Sequence, residues 1–426
     1  MRKKQRRKKH ILKIVLIFWI TFIAVISAGM VMILIYNAAV GKENAVAVSP
    51  AGLTEVVSHL VLEKIPEGDR SKEKLNEDEI HAQNGKYAAI IADEKYRKEN
   101  NIYVKEAALP EEITLTFGGD ILFDPGYSVM ARLLQRENGI YDSISGDLLD
   151  IMQNSDIMML NNEFPYSSRG TPTLEKQFTF RAKPESANLL FDMGADIVSL
   201  ANNHAYDYGE AALLDTFDVL EQIQMPYVGA GRNMEEASKP VYFIINDMKI
   251  AYISATQIER LDNPDTKEAT ETSAGVLRCW NPKRLLEIIG EAKKNSDFVV
   301  VYIHWGTENT EVPDYAQLDQ APKIAEAGAD LIIGDHPHCL QPLQFVGDVP
   351  VIYSLGNFWF NSKELDTGLV QAVIGENGLK SFQFIPAIQK NCTTTLATGE
   401  DKERILSYMR SISPKTTINE DGYVEK

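Results

Sequence analysis

Six short segments of this 426-residue chain gather carboxylate, amide and imidazole side chains. They are Gly118-Gly119-Asp120, Asn161-Asn162-Glu163, Ala201-Asn202-Asn203-His204 with Asp207 and Gly209, His304-Trp305-Gly306 with Glu308, Gly334-Asp335-His336-Pro337-His338, and Ser354-Leu355-Gly356-Asn357-Phe358. Four of the seven histidines fall in them. Neutral imidazole, carboxylate and amide oxygen together form a donor set for clustered divalent cations. Two such ions ~3.5–4 Å apart activate a water and stabilise the leaving oxygen at a phosphate or carbonyl centre.

Taken singly, each segment has a plainer explanation. Asp120 after two glycines suits a turn, Glu163 shortly before Pro165 suits a solvated loop, and His304 beside Trp305 suits a hydrogen-bonded core histidine. Asn357 after Gly356 suits a left-handed turn, and Cys339 suits a small buried position. Asn203-His204 is the stronger signal, because Asp207 follows one turn later and can orient the imidazole. His336-Pro337-His338 is stronger still: proline holds an extended turn in which residues i and i+2 can both face one ion. Asn202 and Asn357 are candidates to support the donors from behind. Asp120, Glu163, Asn203, His204, His304, His336 and His338 are therefore expected to face one cleft. Burying unpaired carboxylates and imidazoles together is costly unless a cation or hydrogen bonds compensate.

Each segment follows a short apolar run that reads as a strand: Ile113–Phe117, Asp156–Leu160, Ile197–Leu200, Phe298–Ile303, Leu331–Ile333 and Val351–Tyr353. Further strands are expected at 241–246, 249–255 and 369–374, the first two joined by an Asn246-Asp247 hairpin turn. Helical periodicity marks 126–136, 184–193, 210–223, 282–295, 318–327 and 399–412. This alternation implies an α/β fold with layers around mixed sheets. In such folds the loops at the carboxyl ends of strands converge on one crevice.

Composition narrows the setting. A hydrophobic share of 44% supports a packed core, and the net charge of −17 is unevenly placed. Residues 1–13 hold eight Lys and Arg and no acid, so the remainder is more acidic than the whole. That acidic body is a poor match for nucleic acid, which is not expected as a partner, since phosphate neutralisation needs clustered cations. An anionic substrate would have to be held locally, by a metal or by a few arginines. Three scattered cysteines provide neither a disulfide framework nor a thiolate zinc site. Ile14–Tyr36 is an uncharged stretch of 23 residues, long enough to span a ~30 Å hydrocarbon layer. The alternatives are a buried core helix or a signal peptide cleaved near Ala45-Val46-Ala47, whose apolar region would ordinarily be shorter. An uncleaved anchor fits the length better, and the basic flank places the N-terminus in the cytoplasm and the body outside. The expected organisation is a cytoplasmic segment 1–13, an anchor 14–36, a stalk or linker 37–111, a principal domain 112–390, and a C-terminal helix and tail 391–426.

The motifs GGD, NNEFP, FRAKPE, SLANNHAYDYG, VGAGRN, HWGTE, GDHPHCLQP and YSLGNFWF, in this order, resemble the poly-γ-glutamate capsule biosynthesis family of CapA type. The resemblance covers roughly residues 112–390. It implies a calcineurin-like metallophosphatase fold, a four-layer α/β/β/α sandwich, and divalent metal ions, one or two, with Mn, Zn or Fe as plausible identities. It also implies a place in a membrane-bound machine that makes or exports an anionic polymer, beside other subunits of the synthase or exporter. Carried over by position, Asp120, Asn203, His304, His336 and His338 match metal ligands, and His204 matches the adjacent catalytic histidine. Asp207 and Glu308 are grouped with His204 as candidate catalytic side chains. Two departures stand out. Ile121 and Leu122 follow Asp120 where the superfamily pattern is Asp-x-His, and Glu163 is the only carboxylate in the segment of the usual bridging Asp. Asp124 or Asp207 could compensate. Arg181 and Arg232 are candidates to hold an anionic substrate through bidentate guanidinium contacts; a surface or layer-bridging role suits each equally.

Three functions follow as expectations. The first is an outward-facing, membrane-anchored component of poly-γ-glutamate synthesis or export. The second is a surface metal-dependent hydrolase of phosphoesters or γ-linked amides, and the third is a polymer-binding module without catalysis.

Overall fold

The computed structural model describes residues 85–258 and 266–426. The expected anchor at 14–36 lies outside them. Among the described residues no helix is long and apolar enough to cross a membrane. In chain order the strands of the two large sheets are β1 (Ile102–Val104), β2 (Ile113–Ile121), β3 (Ile157–Asn162), β4 (Ile197–Ser199), β5 (Tyr227–Val228), β6 (Val241–Ile245), β7 (Met248–Thr256), β8 (Phe298–His304), β9 (Leu331–Asp335), β10 (Leu343–Val346), β11 (Val349–Ile352), β12 (Asn357–Trp359), β13 (Leu365–Gly375), β14 (Gly378–Lys390) and β15 (Thr393–Leu396). One sheet has seven strands in the order β1-β6-β7-β8-β9-β11-β10. The other has eight, in the order β15-β14-β13-β2-β3-β4-β5, with β12 paired beside β2.

The period-2 pattern decides how they stack. In β8, Phe298, Val300 and Tyr302 join a core shared with Ile113, Leu115 and Phe117 of β2, so the two sheets pack face to face. The alternate residues Val299, Val301 and Ile303 pack outward against the helices α3 (Lys283–Asn295) and α4 (Tyr315–Ala327). In β3, Met158 and Leu160 face outward against α1 (Gly146–Gln153) and α2 (Glu210–Gln222). Strands covered on both faces read as continuous apolar runs, as β3 and β8 do. Ile405, Leu406 and Met409 of α5 (Gly399–Ile412) enter the core between the sheets, and β15 pairs with β14. Residues beyond 390 thus belong to the packed body. So do residues 102–104 of the segment read as a stalk, where β1 pairs with Tyr242–Ile244.

Local departures from the expected elements have local causes. The helix expected at 318–327 starts at Tyr315, because Asp314 and Gln317 form a reciprocal capping box. The helix expected at 184–193 divides into a 3₁₀ turn, Pro184–Asn188, and one α-turn, Leu189–Asp192. The helix expected at 126–136 shortens to Ser128–Leu133. The Asn246-Asp247 turn is as expected, with φ of 48° and 57°, which matches a two-residue hairpin. The largest correction concerns Gly118-Gly119, which is not a turn. The strand runs through it to Ile121, with its register to β3 shifting between Phe117 and Asp120. A Cβ on Gly119 would stand 1.9 Å from the Gly356 carbonyl oxygen. The glycine lets the 354–358 loop close onto the strand, where Asp120 N donates to that oxygen at 3.1 Å.

Candidate metal centre

The strands carrying the six segments end on one side of the two sheets. Asp120 and Asn161 are register partners at the ends of β2 and β3, and His304 and Asp335 are partners at the ends of β8 and β9. Asn203 and His204 follow β4, and Asn357 opens β12 opposite Asp120. His336 and His338 follow β9 with φ of 94° and 57°. Backbone strain of this kind at two non-glycine residues is retained where surroundings over-determine it. Here Pro337 lies between them, and its carbonyl accepts from Asn309 N at 2.8 Å.

The seven side chains expected to share a cleft do so. His304 Nε2 lies 2.8 Å from Asn203 Oδ1, 3.0 Å from His336 Nδ1 and 3.4 Å from Glu163 Oε1. A single ring nitrogen cannot satisfy three acceptors at once. Donor atoms about 3 Å apart are, however, what bonds of ~2.0–2.2 Å to one shared ion require. His304 Nδ1 sits 2.8 Å from Asp335 Oδ1. That contact fixes the Nδ1–H tautomer and turns the Nε2 lone pair toward the others. A second group forms beside the first. His338 Nδ1 is 3.2 Å from Asp120 Oδ2 and 2.9 Å from Asn357 Oδ1, and Asp120 Oδ1 accepts from Asn161 Nδ2 at 2.8 Å. Glu163, His304 and His336 have donor atoms within 4.8 Å of one another, as do Asp120, Glu163 and His338. Glu163 belongs to both groups and lies between them.

Glu163 supplies the test of whether a cation fits. The residue is fully buried, and neither carboxylate oxygen has a hydrogen-bond partner. Burial first, and the Asp120 charge next, push its pKa well above the usual carboxylate value. Burial also drives the His304 imidazole down to about 3 and His336 well below its ordinary value, so both present neutral lone pairs. His338 is raised: burial opposes, but the Asp120 contact outweighs it. Its partner Asp120 is correspondingly lowered against its own burial. Neutral imidazoles facing a donor-less buried carboxylate fit a divalent cation and leave the same groups poorly satisfied without one.

His204 stands at the side of this centre. Its Nδ1 is 2.7 Å from Asp207 Oδ2, its Nε2 is 3.9 Å from Glu163 Oε1, and its ring packs 4.2 Å from that of Phe180. Asn202 supports from behind: its Oδ1 accepts from His204 N at 3.1 Å, and its Nδ2 donates to Asn161 Oδ1 at 3.1 Å. Glu308 is exposed at the rim, where its charge reaches Glu163 and His338.

The two arginines have partners of their own. Arg232 is engaged by Asp218, Glu221 and Glu236. The Arg181 guanidinium lies 4.1 Å from the Tyr208 ring centroid and donates to the Arg169 carbonyl at 3.2 Å. Asp124 does not replace the missing histidine, because its oxygens accept from Gly126 N and Arg181 N, each at 2.7 Å. Asp207 is held by His204, Lys176 and Phe180 N. The position that would carry the Asp-x-His histidine is Leu122, fully buried among apolar neighbours. Three participants were not singled out from sequence: Asp335, Asn161 and Lys176. The first two are defined by strand register, and Lys176 lies in a stretch (TPTLEKQFTF) with no recognisable spacing.

The family model described as "Bacterial capsule synthesis protein PGA_cap" matches residues 114–362. The chain belongs to this family. The PGA_cap match starts inside β2 and ends just after β12, so it takes in all six segments of the centre. The PGA biosynthesis protein CapA of Bacillus subtilis is 32% identical over 281 residues, covering 64% of this chain and 71% of that protein. The capsule biosynthesis protein CapA of Bacillus anthracis is 30% identical over 321 residues, covering 72% and 75%. Among solved structures, TT1561 of Thermus thermophilus aligns with a TM-score of 0.36 at 11% identity, over 62% of this chain and 99% of that one.

Proposed function

We propose that this chain is a membrane-anchored, outward-facing component of poly-γ-glutamate synthesis or export, working with other subunits of that machine on the anionic polymer through a metallophosphatase-like centre. Its PGA_cap membership and its CapA relatives support the role in capsule polymer synthesis. The uncharged stretch 14–36 behind a basic flank supports the anchor and its orientation. The observation that carries the metal centre is the buried Glu163 carboxylate, without donors, between two groups of imidazole, amide and carboxylate.

Glu163, Asn203, His304 and His336 would hold one divalent ion, and Asp120, Glu163 and His338 a second. The first position has four donors. The second lacks a histidine where Leu122 stands, so it binds more weakly. Bound ions of this kind lower the pKa of a water and polarise a phosphoryl or carbonyl oxygen. The chain's own residues supply the rest. Asp207 holds the Nδ1–H of His204, leaving the Nε2 lone pair of the buried, neutral ring aimed at the cluster, where it can take a proton from an attacking water as a general base. That geometry favours a metal-dependent hydrolytic step, on a phosphoester or a γ-linked amide, over passive polymer binding.

The test is surface polymer in strains carrying His304→Ala or His338→Ala, with anchored protein abundance checked by protease treatment of protoplasts. Loss of polymer at normal abundance is expected. Normal capsule in both strains would separate the centre from the function and leave a binding module.

A further inference from the structure

The loop 171–180 inverts the usual arrangement of side chains. Leu174 and Phe178 are 84% and 51% exposed, whereas the Lys176 side chain between them is 4% exposed. Its ammonium points inward, donating to Asp207 Oδ1 at 2.6 Å and to the Asn203 carbonyl oxygen. An ammonium taken out of water is retained only where its partners are well placed, and apolar residues left outside gain nothing from the exchange. Something other than ordinary burial fixes this loop.

Asp207 is where the contacts meet. Its Oδ1 takes Lys176, while its Oδ2 takes both His204 Nδ1 and the Phe180 backbone N–H, each at 2.7 Å. Its carbonyl oxygen accepts from Thr173 N at 2.8 Å and from Thr173 Oγ1 at 3.1 Å. The loop therefore wraps the one carboxylate that orients His204, and Phe180 from the same loop lies against the His204 ring. Without the ammonium, Oδ1 would lose its partner and the carboxylate would be free to turn about its Cβ–Cγ bond. That rotation would withdraw Oδ2 from both His204 and Phe180 N.

We propose that Lys176 is a positioning residue: its buried ammonium locks the Asp207 carboxylate that orients His204, and so ties the conformation of the 173–180 loop to the direction of the His204 ring. The proposal takes from the functional reading only that His204 faces the reacting centre. Lys176 contributes no metal donor, so its removal leaves the donor set of the centre intact. A substrate or partner touching Leu174 or Phe178 would then act on His204 through Lys176 and Asp207.

The experiment uses the full-length chain with Lys176→Met, Lys176→Gln and Lys176→Arg. Three quantities are read: the downfield proton resonance of His204 Nδ1–H, hydrogen exchange at the Thr173 and Phe180 amides, and Mn²⁺ affinity by calorimetry. In the Met and Gln variants the His204 resonance should be lost, and the Phe180 amide should exchange at least tenfold faster. Because Lys176 donates to the Asn203 backbone and not to a metal donor atom, Mn²⁺ affinity should fall by no more than the ~10–100-fold that the loss of a residue behind the ligands costs, and the Arg variant should recover the resonance and the protection. An unchanged His204 resonance with unchanged Phe180 exchange overturns the proposal. So does failure of both the Met and Gln variants to fold, which would make Lys176 a structural ion of the core. If the unsubstituted chain binds no Mn²⁺, the metal reading fails while the resonance and exchange still decide the role of Lys176.

Discussion

Glu163→Gln should change metal-free and metal-loaded stability in opposite senses. In the metal-free chain Glu163 is buried without a donor, and its pKa is raised by burial and by Asp120. A carboxyl whose native pKa lies above its unfolded value contributes stability that is complete below the unfolded value, ~4.3, and is lost as pH rises toward the native one. The loss is about 1.4 kcal/mol per pH unit while the native group stays protonated. Glutamine does not titrate, so the variant should gain on the unsubstituted chain between pH 5 and 8. Comparing the two chains at each pH cancels the opposite contributions of His304 and His336. With metal at 100 times its Kd, the unsubstituted chain gains about 2.7 kcal/mol, or roughly 5 °C in Tm for a body of this size. A ~100-fold weaker Kd leaves the variant only about 0.4 kcal/mol at the same metal concentration. Thermal melts in EDTA and in MnCl₂ across that pH range read both effects. Equal metal-induced shifts in the two chains, or a metal-free difference that does not grow with pH, would refute the reasoning.

Other outcomes follow from the same geometry. His304→Ala should weaken the tighter metal position by more than ~100-fold, since even the loss of residues behind the ligands costs 10–100-fold, whereas His338→Ala should remove only the weaker binding step; calorimetric stoichiometry separates the two. Gly119→Ala would set a Cβ 1.9 Å from the Gly356 oxygen, and urea unfolding should show a loss of ~3 kcal/mol or more, at the severe end for one substitution. Asp297 is lowered because, against its burial, it accepts from Lys249 N at 2.7 Å, Lys86 Nζ at 2.6 Å and Tyr87 OH at 2.8 Å. Asp297→Asn should therefore cost about 1 kcal/mol at pH 7 after solvent screening. The difference from the unsubstituted chain should vanish as pH falls through the depressed native pKa, as unfolding at pH 3 and pH 7 would show.

Much of the centre was legible in the sequence because strand ends are. The apolar runs before Asp120, Glu163, His304 and His336 mark buried strands, and polar residues just after them must lie at the sheet edge. What escaped depends on pairing across the chain. Asp335 reaches His304 through the β8–β9 register, and Asn161 reaches Asp120 through a register shift between β2 and β3. Neither is readable from one strand alone. Gly118-Gly119 read as a turn because glycine is common there, but close approach of Gly356 is what requires Gly119. The arginine candidates rested on residue type alone. Arg232 lies among three carboxylates, Glu236 four residues on in the short helix Met234–Ala237 and Asp218 and Glu221 of α2, and the last two are partners that only folding brings together.

The central claim is that Glu163 joins two groups of donors around divalent ions. Anomalous diffraction from crystals of the full-length chain grown with Mn²⁺ tests it most directly. A peak within ~2.0–2.3 Å of His304 Nε2 and Glu163 is expected, with Asn203 and His336 completing it and a weaker second peak toward Asp120 and His338. Ordered Glu163, His304 and His336 side chains with no anomalous peak among them, at saturating Mn²⁺, would contradict the account.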